Sequence, residues 1–308
     1  MPEAVITVFG GTGFLGSAIV RTLLQQGARV RIAARRPERL HPFEHPERLT
    51  TLQADITDVA SVAAALDGCR AVVNAIGLYV EHGADTFEAV HVRAAENVAR
   101  LAAQAGVEQL VHVSGIGASA DSSSSYVRAR ADGERRVSDS FGDASILRPS
   151  VLFGPGDSFL STIDGISRLS PIFPLFGDGG TRMQPVYVDD VAEAVARVLE
   201  DSTTRARICE LGGPRIYTYR EIIECVLDYR RRRRVLMPVP FGIWAAQAKL
   251  LAVVPSAPLT VDQVILMRDD NVVGDGVVTL KDLGVTARSI EDMLPVCFRQ
   301  GPGAAENR

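Results

Sequence analysis

The stretch Val5-Ile6-Thr7-Val8-Phe9-Gly10-Gly11-Thr12-Gly13-Phe14-Leu15-Gly16 constrains the fold of this chain more than any other. A short β-branched run stops at glycines, and the glycines open onto residues 17–24, which carry apolar side chains at helical spacing. Strand, glycine turn and helix in this order open a dinucleotide-binding βαβ unit. The glycines have separate reasons to be there. Gly10 and Gly11 turn the chain sharply off the strand, where a Cβ would clash. Gly13 lets the backbone approach a pyrophosphate, and Gly16 lets the helix lie close on the sheet. The first helical turn then offers unpaired N–H groups and a positive dipole end to phosphates. The other reading of the pattern is a tight βα turn with no ligand.

The same alternation continues along the chain. Residues 29–34, 49–54, 71–77, 109–113, 145–148 and 208–211 read as strands. Between them, residues 59–66, 86–105 and 126–139 carry helical patterns, and another helix begins at Asp189 or Asp190. On the helix at 86–105, Val90, Ala94, Val98 and Leu101 share one face and Gly106 is the stop. Strict alternation predicts an α/β fold, a Rossmann-type doubly wound parallel sheet with a small C-terminal cap region. In that division residues 1–155, continued by 183–212, form the nucleotide-binding core. Residues 156–182 and 213–300 form a substrate-side or docking cap, and 301–308 a disordered tail. Within the cap, 157–169 reads as a helix and 171–180 as a loop rich in proline, glycine and phenylalanine. Thr218-Tyr219-Arg220-Glu221 and Thr260-Val261-Asp262-Gln263 read as capping boxes.

Charge then narrows the ligand. A site preferring NAD places an acid about 20 residues past the first glycine, on the ribose 2′-hydroxyl. No acid occurs between Gly16 and Glu38, and Arg35-Arg36-Pro37 ends the second strand instead. A guanidinium fork suits a 2′-phosphate, so NADP(H) is the expected cofactor; a solvated basic turn is the alternative. A net charge of −4 gives no reason to expect nucleic acid. His41 and His45 lack metal-ligand partners nearby, and Cys69, Cys209, Cys225 and Cys297 form no CxxC pair. Reduced thiols and no metal are therefore expected. The first strand begins almost at Met1, and no apolar run reaches the ~18 residues of a spanning helix. The expected location is cytoplasmic, either free or peripheral on the cytoplasmic face of the inner membrane.

Two stretches of the cap have an association flavour. Residues 230–234 are five consecutive arginines, read as a solvated turn or as a patch for anionic lipid or an acidic partner. Residues 241–254 are strongly apolar, with Trp244 and one charge, Lys249. As a helix they suit core or a surface-lying face.

Gly10-Gly11-Thr12-Gly13-Phe14-Leu15-Gly16, Ser114, Tyr126, Leu147-Arg148-Pro149-Ser150 and the segment from Gln184 to Ala194 resemble the extended and atypical short-chain dehydrogenase/reductases, the epimerase/dehydratase-like proteins among them. More narrowly, Gln184-Pro185-Val186-Tyr187-Val188, Leu211-Gly212-Gly213-Pro214, Pro238-Val239-Pro240-Phe241 and Leu259-Thr260-Val261-Asp262-Gln263-Val264 resemble the nucleotide-binding accessory subunit family of respiratory complex I. The likeness runs over residues 5–294. It implies that Ser114, Tyr126 and residue 130 occupy the catalytic positions. It also assigns the cofactor to Gly10, Thr12, Gly13, Phe14, Leu15, Gly16, Arg35, Arg36, Asp55, Ile56, Ala75, Ile76, Gly77, Val113, Tyr126, Arg130, Pro149, Ser150 and Val151.

In an active reductase of the superfamily, the tyrosine exchanges the proton that accompanies hydride transfer and a lysine four residues on lowers its pKa. A free tyrosine, near 10, is a poor base at neutrality. Here Arg130 stands in the lysine position. Arginine keeps the charge with a bulkier, planar geometry. All but two of the 33 basic residues are arginine, Lys249 and Lys281 being the exceptions. Coding bias alone could therefore place it there, but a needed catalytic lysine should resist that bias. The resemblance implies an accessory or assembly subunit that holds NADPH mainly for structure. Its partners would be respiratory complex I subunits and an anionic membrane surface. The alternative is an NADP(H)-dependent reductase or epimerase/dehydratase on a small substrate.

Overall fold

The computed structural model of the chain describes residues 5–39, 42–201, 207–251 and 259–299. The chain divides into two compact units, the first made of Met1–Pro149, Asp189–Leu211 and Val273–Thr286. It opens with β1 (Val5–Phe9), α1 (Phe14–Gln25), β2 (Arg29–Ala34), β3 (Leu49–Gln53), α2 (Val59–Leu66) and β4 (Cys69–Asn74). A π-helical segment, Glu88–Ala94, runs into α3 (Ala95–Gln104), followed by β5 (Gln109–Val113), α4 (Ser125–Ser140) and β6 (Ser145–Pro149). The second unit carries β7 (Leu152–Phe153), α5 (Ser158–Leu169), β8 (Ile172–Phe176), β9 (Arg182–Met183) and β10 (Val186–Tyr187). Nearly all of α6 (Val188–Glu200), together with β11 (Ile208–Leu211), returns to the first unit. The chain then completes the second with β12 (Tyr217–Thr218), α7 (Tyr219–Tyr229), β13 (Val235–Val239), α8 (Phe241–Leu251), α9 (Val261–Leu266) and α10 (Ile290–Cys297).

The seven-stranded sheet has the order β11-β6-β5-β4-β1-β2-β3, every neighbour parallel. The chain winds outward from β1 in one direction through β2 and β3, and from β4 in the other. The order therefore reverses between β1 and β4, and a ligand crevice belongs at their carboxyl ends. Register puts Phe9 opposite both Ala33 and Asn74, so Gly10 and Ala75 leave the sheet side by side. The central strands are apolar on both faces, as a sheet covered by helices requires; Val8, Ile32 and Val73 are fully buried. Val62, Val98 and Ala99 pack on one face with Leu110 and Ile146. Val191, Ala194, Val195 and Val198 of α6 are all buried, the inward face its periodicity predicts.

Two expectations about local structure are corrected. Residues 86–105 do not form one regular α-helix, because Glu88–Ala94 is π-helical before α3 begins. The cause lies on another element: a Cβ at Gly133 of α4 would sit 2.0 Å from the His91 carbonyl oxygen. The backbone of α4 thus lies directly against the widened turn. Residues 171–180 are not wholly loop either, since Ile172–Phe176 is a strand paired in parallel with Val235–Val239. Phe173 and Leu175 alternate into the second core while Pro174 sits on a two-stranded pair, where a missing N–H is tolerated.

The second unit packs Phe153, Leu160, Phe173, Tyr217, Ile222 and Val226 around α7. Both expected capping boxes form: Thr218 and Glu221 close α7, and Thr260 and Gln263 close α9. The five arginines do not all face solvent. Arg230 and Arg232 both grip the Asp164 carboxylate of α5, at 2.9 and 2.6 Å, and Arg234 donates to the Ser167 carbonyl at 2.6 Å. Arg231 and Arg233 are exposed. Helix α8 buries only Ala248, and Trp244 donates its indole N–H to the Leu175 carbonyl at 3.0 Å. Residues 252–254 of that apolar stretch, His41, and the 301–308 tail lie outside the described residues. No described helix is long and apolar enough to cross a membrane.

Candidate functional site

The first glycine turn is built for close approach. Gly10 has φ +80, and a Cβ there would meet the Ala75 carbonyl oxygen at 2.9 Å. At Gly16 a Cβ would fall 2.0 Å from the Gly10 carbonyl oxygen, so α1 can start this near the strand end only with glycine. Gly13 is the N-cap of α1 and has no side-chain cap, and a Cβ on it would meet only Gly10 oxygen, at 3.3 Å. Thr12, Gly13, Phe14, Leu15 and Gly16 therefore present backbone to an open face at a helix N-terminus, the arrangement that holds phosphate. Leu15 itself is buried and packs the helix.

At the end of β2, Arg35 and Arg36 are both exposed. Arg35 Nη1 lies 2.7 Å from Asp85 Oδ2, and that hydrogen bond raises the arginine pKa. Asp55 accepts from Thr57 N–H and Oγ1 at 2.9 and 2.7 Å, while Ile56 beside it is buried. Hydrogen bonds from Thr57, against the opposing effect of burial, bring the Asp55 pKa below its ordinary value. After β4, Ala75 N–H donates to the Phe9 carbonyl and Ile76 N–H to Asn74 Oδ1. Gly77 is exposed, and its Cβ position lies 3.8 Å from Arg130 Nη2.

The structure brings Tyr126 and Arg130 together, one turn apart on α4, with the guanidinium carbon 4.8 Å from the phenol ring centre. Ser124 caps this helix through Val127 N–H. Tyr126 is 6 % exposed and walled by Tyr79, Phe87 and His91, whose ring centres lie 5.5, 5.4 and 5.5 Å away. Burial pushes the phenol far above its ordinary range, and the Arg130 charge opposes this without offsetting it. The same charge, second to burial, lowers His91 to about 4 and His112 to about 3. His91 Nε2 lies 2.8 Å from the Leu78 carbonyl oxygen, and His112 Nδ1 3.2 Å from the Asn74 amide nitrogen. Tyr126, His91 and His112 are thus neutral at pH 7.

Three buried polar atoms here have no hydrogen-bond partner: Ser114 Oγ and Arg130 Nε and Nη1. Ser114 follows Val113 at the end of β5, its backbone N–H held by the Leu147 carbonyl at 2.7 Å. A Cβ at the next residue, Gly115, would come 3.1 Å from Arg130 Nη1. Pro149 ends β6, and its carbonyl accepts from Ile116 N–H. Ser150 and Val151 belong to the second unit, where both bind Asn271 Oδ1, at 2.6 and 3.1 Å. Sequence reasoning missed Tyr79, Phe87 and His91 as the surroundings of Tyr126, and His112 as a neighbour of Arg130. Tyr79 comes from a loop, Phe87 from the N-cap of the π segment, His91 from within it and His112 from β5, and the local trace was histidine in otherwise apolar elements. Among the described residues no cluster of His, Cys, Asp or Glu could hold a metal.

Comparison with known proteins agrees with this geometry. A family model described as NAD(P)H-binding matches residues 10–202. The mitochondrial NADH dehydrogenase [ubiquinone] 1 alpha subcomplex subunit 9 of Mus musculus is 32 % identical over 93 % of this chain and 78 % of its own length. The Arabidopsis thaliana protein of the same name is 31 % identical over 93 % and 75 %. The chain belongs to the alpha subcomplex subunit 9 family of NAD(P)H-binding proteins. Fold likeness reaches further than sequence: a nucleoside-diphosphate-sugar epimerase from Staphylococcus aureus superposes with a TM-score of 0.77 at 17 % identity, over 94 % of this chain and 99 % of that one. The glycine turn of this subunit 9 family member is therefore part of an NAD(P)-binding domain, and a nicotinamide dinucleotide is its cofactor class. The residues present fit that group: an uncapped, glycine-lined helix start for phosphate, and orphaned donors at Ser114 and Arg130.

Proposed function

We propose that the chain is an accessory or assembly subunit of a respiratory complex I, and that NADP(H) is held mainly to stabilise its fold. The observation that carries the reading is the sealing of Tyr126. A proton donor must exchange with solvent or substrate near neutrality, whereas this phenol is buried under Tyr79 with its pKa raised. The names of the relatives supply the assembly. A tightly held dinucleotide stabilises the native state by mass action, by about 2.7 kcal/mol at a hundredfold excess over Kd.

In this reading the backbone from Thr12 to Gly16 holds the diphosphate, Asp55 and Ile56 flank the adenine, and Arg35 and Arg36 select the 2′-phosphate. Ala75, Ile76, Gly77 and Val113 line the carboxyl edge, and Tyr126 and Arg130 donate to the nicotinamide ribose. The bound nicotinamide would supply hydride-transfer chemistry. The chain's own residues bind and orient it, with no base near pH 7. The reading includes a peripheral position on the cytoplasmic face of an inner membrane, where exposed Arg231 and Arg233 of the second unit meet anionic headgroups.

Co-purification from gently solubilised membranes tests the proposal. Recovery with respiratory subunits is the expected result, and a lone soluble protein would overturn it. The orphaned Ser114 hydroxyl favours a second reading, an NADP(H)-dependent reductase, because a buried serine at this position can bind a carbonyl oxygen. Consumption of NADPH with a small carbonyl at an ordinary enzymatic rate would decide for it.

A further inference from the structure

The loop from β4 to the π segment, residues 75–87, is fixed at its two ends and exposed between them. At one end Leu78 is held by His91, whose Nε2 lies 2.8 Å from the Leu78 carbonyl oxygen and 3.3 Å from its backbone nitrogen. At the other, Phe87 is buried and donates its N–H to Glu81 Oε1 at 2.7 Å. Residues 79–84 are all exposed. His82 and Asp85 exchange backbone hydrogen bonds at 2.9 and 3.0 Å, closing a turn through Gly83 at φ +59. A Cβ at Gly83 would meet nothing within 4 Å, so the tip of the turn projects into open space.

One side chain of this turn is tied down. Asp85 Oδ2 lies 2.7 Å from Arg35 Nη1 at the end of β2, in the same compact unit. In the proposed reading Arg35 is also the residue that takes the cofactor's 2′-phosphate, so one guanidinium has two anionic claimants. They are unequal. A phosphate monoester carries about −1.5 to −2 charge near pH 7 and three acceptor oxygens, against a single charge on the carboxylate. Two anions on one guanidinium edge also repel each other. The tie that must break is weak: its side chains are 61 % and 32 % exposed, and an exposed pair of this kind favours the closed loop by about fivefold at most.

We propose that Asp85 is a built-in stand-in for the 2′-phosphate, and that the phosphate displaces it and releases the turn at residues 80–86. The released state is the one in which Arg35 is open, so a cofactor carrying the phosphate selects it and one lacking the phosphate does not. Release stops at Tyr79, because Leu78 beside it stays bound to His91 and its own ring stays stacked on Tyr126. The cover over Tyr126 is therefore unchanged, and what changes is the outer surface. The turn thus reports on that surface whether the subunit holds the phosphorylated dinucleotide. The coupling is reciprocal: a neighbouring subunit that holds the turn away from Arg35 tightens NADP(H) by the factor by which NADP(H) tightens that contact. The device rests on the proposed reading of Arg35 as the 2′-phosphate ligand.

The test is hydrogen–deuterium exchange of the whole protein, free and saturated with NADH or NADPH, which differ only in the 2′-phosphate. The readout is protection of the His82 and Asp85 amides, the two that close the turn. NADPH is expected to lower it about two- to fivefold relative to NADH and to the free protein. In Asp85→Asn, which keeps the side chain's size and removes its charge, protection should be low in all three states. The amides of α1 should stay protected in parent and variant alike, showing that both are folded. Equal protection with the two nucleotides, greater protection with NADPH, full protection in free D85N, or a nucleotide difference that survives in D85N overturns the proposal. Greater protection with NADPH would mean that the loop closes on the cofactor. Affinities for the two nucleotides, read separately by their fluorescence, report on the cofactor reading. Preference for NADPH with an unchanged turn sinks the latch alone, and no preference sinks both.

Discussion

Arg130 stacks its guanidinium on Tyr126, 4.8 Å from the ring centre, while Tyr79 stacks on the same tyrosine at 5.5 Å. The guanidinium carbon also lies 5.9 Å from the Tyr79 ring centre, so the cation and the two rings form a triangle, and burial sets the phenol's protonation more than the cation does. Restoring the superfamily's lysine therefore changes little. In Arg130→Lys, NADPH consumption with small aldehydes and quinones should stay at the uncatalysed rate, since Tyr79 still covers Tyr126. The melting-temperature gain on adding NADPH should persist. A hundredfold rise in turnover would show instead that the arginine alone had disabled the site.

Gly16→Ala is a test of the turn. Its Cβ would fall 2.0 Å from a backbone oxygen of Gly10, a contact that no side-chain adjustment relieves. Overpacking of this kind typically costs about 1–3 kcal/mol and occasionally more, and here the helix start itself must move. Chemical denaturation should show a loss at or above the top of that range, with NADPH binding abolished. Gly13→Ala, with only a 3.3 Å contact to meet, should fold nearly as well as the parent and lose chiefly nucleotide affinity. Equal destabilisation by the two changes would contradict the geometry.

The contrast between these two glycines was readable in the sequence, because a strand period, a glycine run and a helix period follow one another within β1 and α1. The same holds for the capping boxes at Thr218 and Thr260, whose partners lie three residues away. What could not be read has long-range causes. Pro174 and the following glycines are loop signals, yet β8 forms because Val235–Val239 is there to pair with it. The π segment exists where Gly133 of α4 brings a backbone against His91. The rings around Tyr126 come from a loop and from the π segment with its N-cap, both far from α4 in sequence, and the alternation of Arg230–Arg234 becomes visible only once Asp164 is in place.

In the proposed reading cofactor preference rests on Arg35 and Arg36, both exposed at the end of β2. Arg35 is tied to Asp85 at 2.7 Å, so a 2′-phosphate must compete with that carboxylate. Replacing both arginines with alanine should weaken NADPH binding at least tenfold, about 1.4 kcal/mol or more, and leave NADH binding within about twofold. Asp85→Asn should tighten NADPH alone. Isothermal titration with the two nucleotides checks both, and equal losses would remove the 2′-phosphate argument.

Acid sensitivity follows from the two buried histidines. Burial first, and then the Arg130 charge, depress His91 to about 4 and His112 to about 3, from an ordinary 6.5. Below pH 6.5 the unfolded chain takes up protons that the folded chain refuses, so stability is full above that pH and falls as pH drops toward the folded values. Each unit of depression is worth about 1.4 kcal/mol. Urea unfolding between pH 6.5 and 5, above most carboxylate titrations, should show a steep loss in the parent. The slope should flatten in a His91→Gln, His112→Gln double variant, and parallel slopes would mean that these rings are protonated in the native state.

The arginine run gives the last prediction. Asp164 of α5 is 13 % exposed at its side chain and carries both Arg230 and Arg232, themselves only 28 % and 23 % exposed. Removing the carboxylate leaves two half-buried guanidiniums facing each other. Breaking a fully buried pair costs about 3–5 kcal/mol; with this partial exposure, about 1–3 kcal/mol is expected for Asp164→Ala by denaturant titration. Arg231→Ala and Arg233→Ala, on the exposed side of the alternation, should leave stability unchanged within about 0.5 kcal/mol. If those two changes also weaken sedimentation with vesicles containing phosphatidylglycerol while Asp164→Ala in a folded sample does not, the exposed pair serves binding and the inward three serve the fold. Loss of stability from Arg231→Ala or Arg233→Ala would show that the whole run is structural.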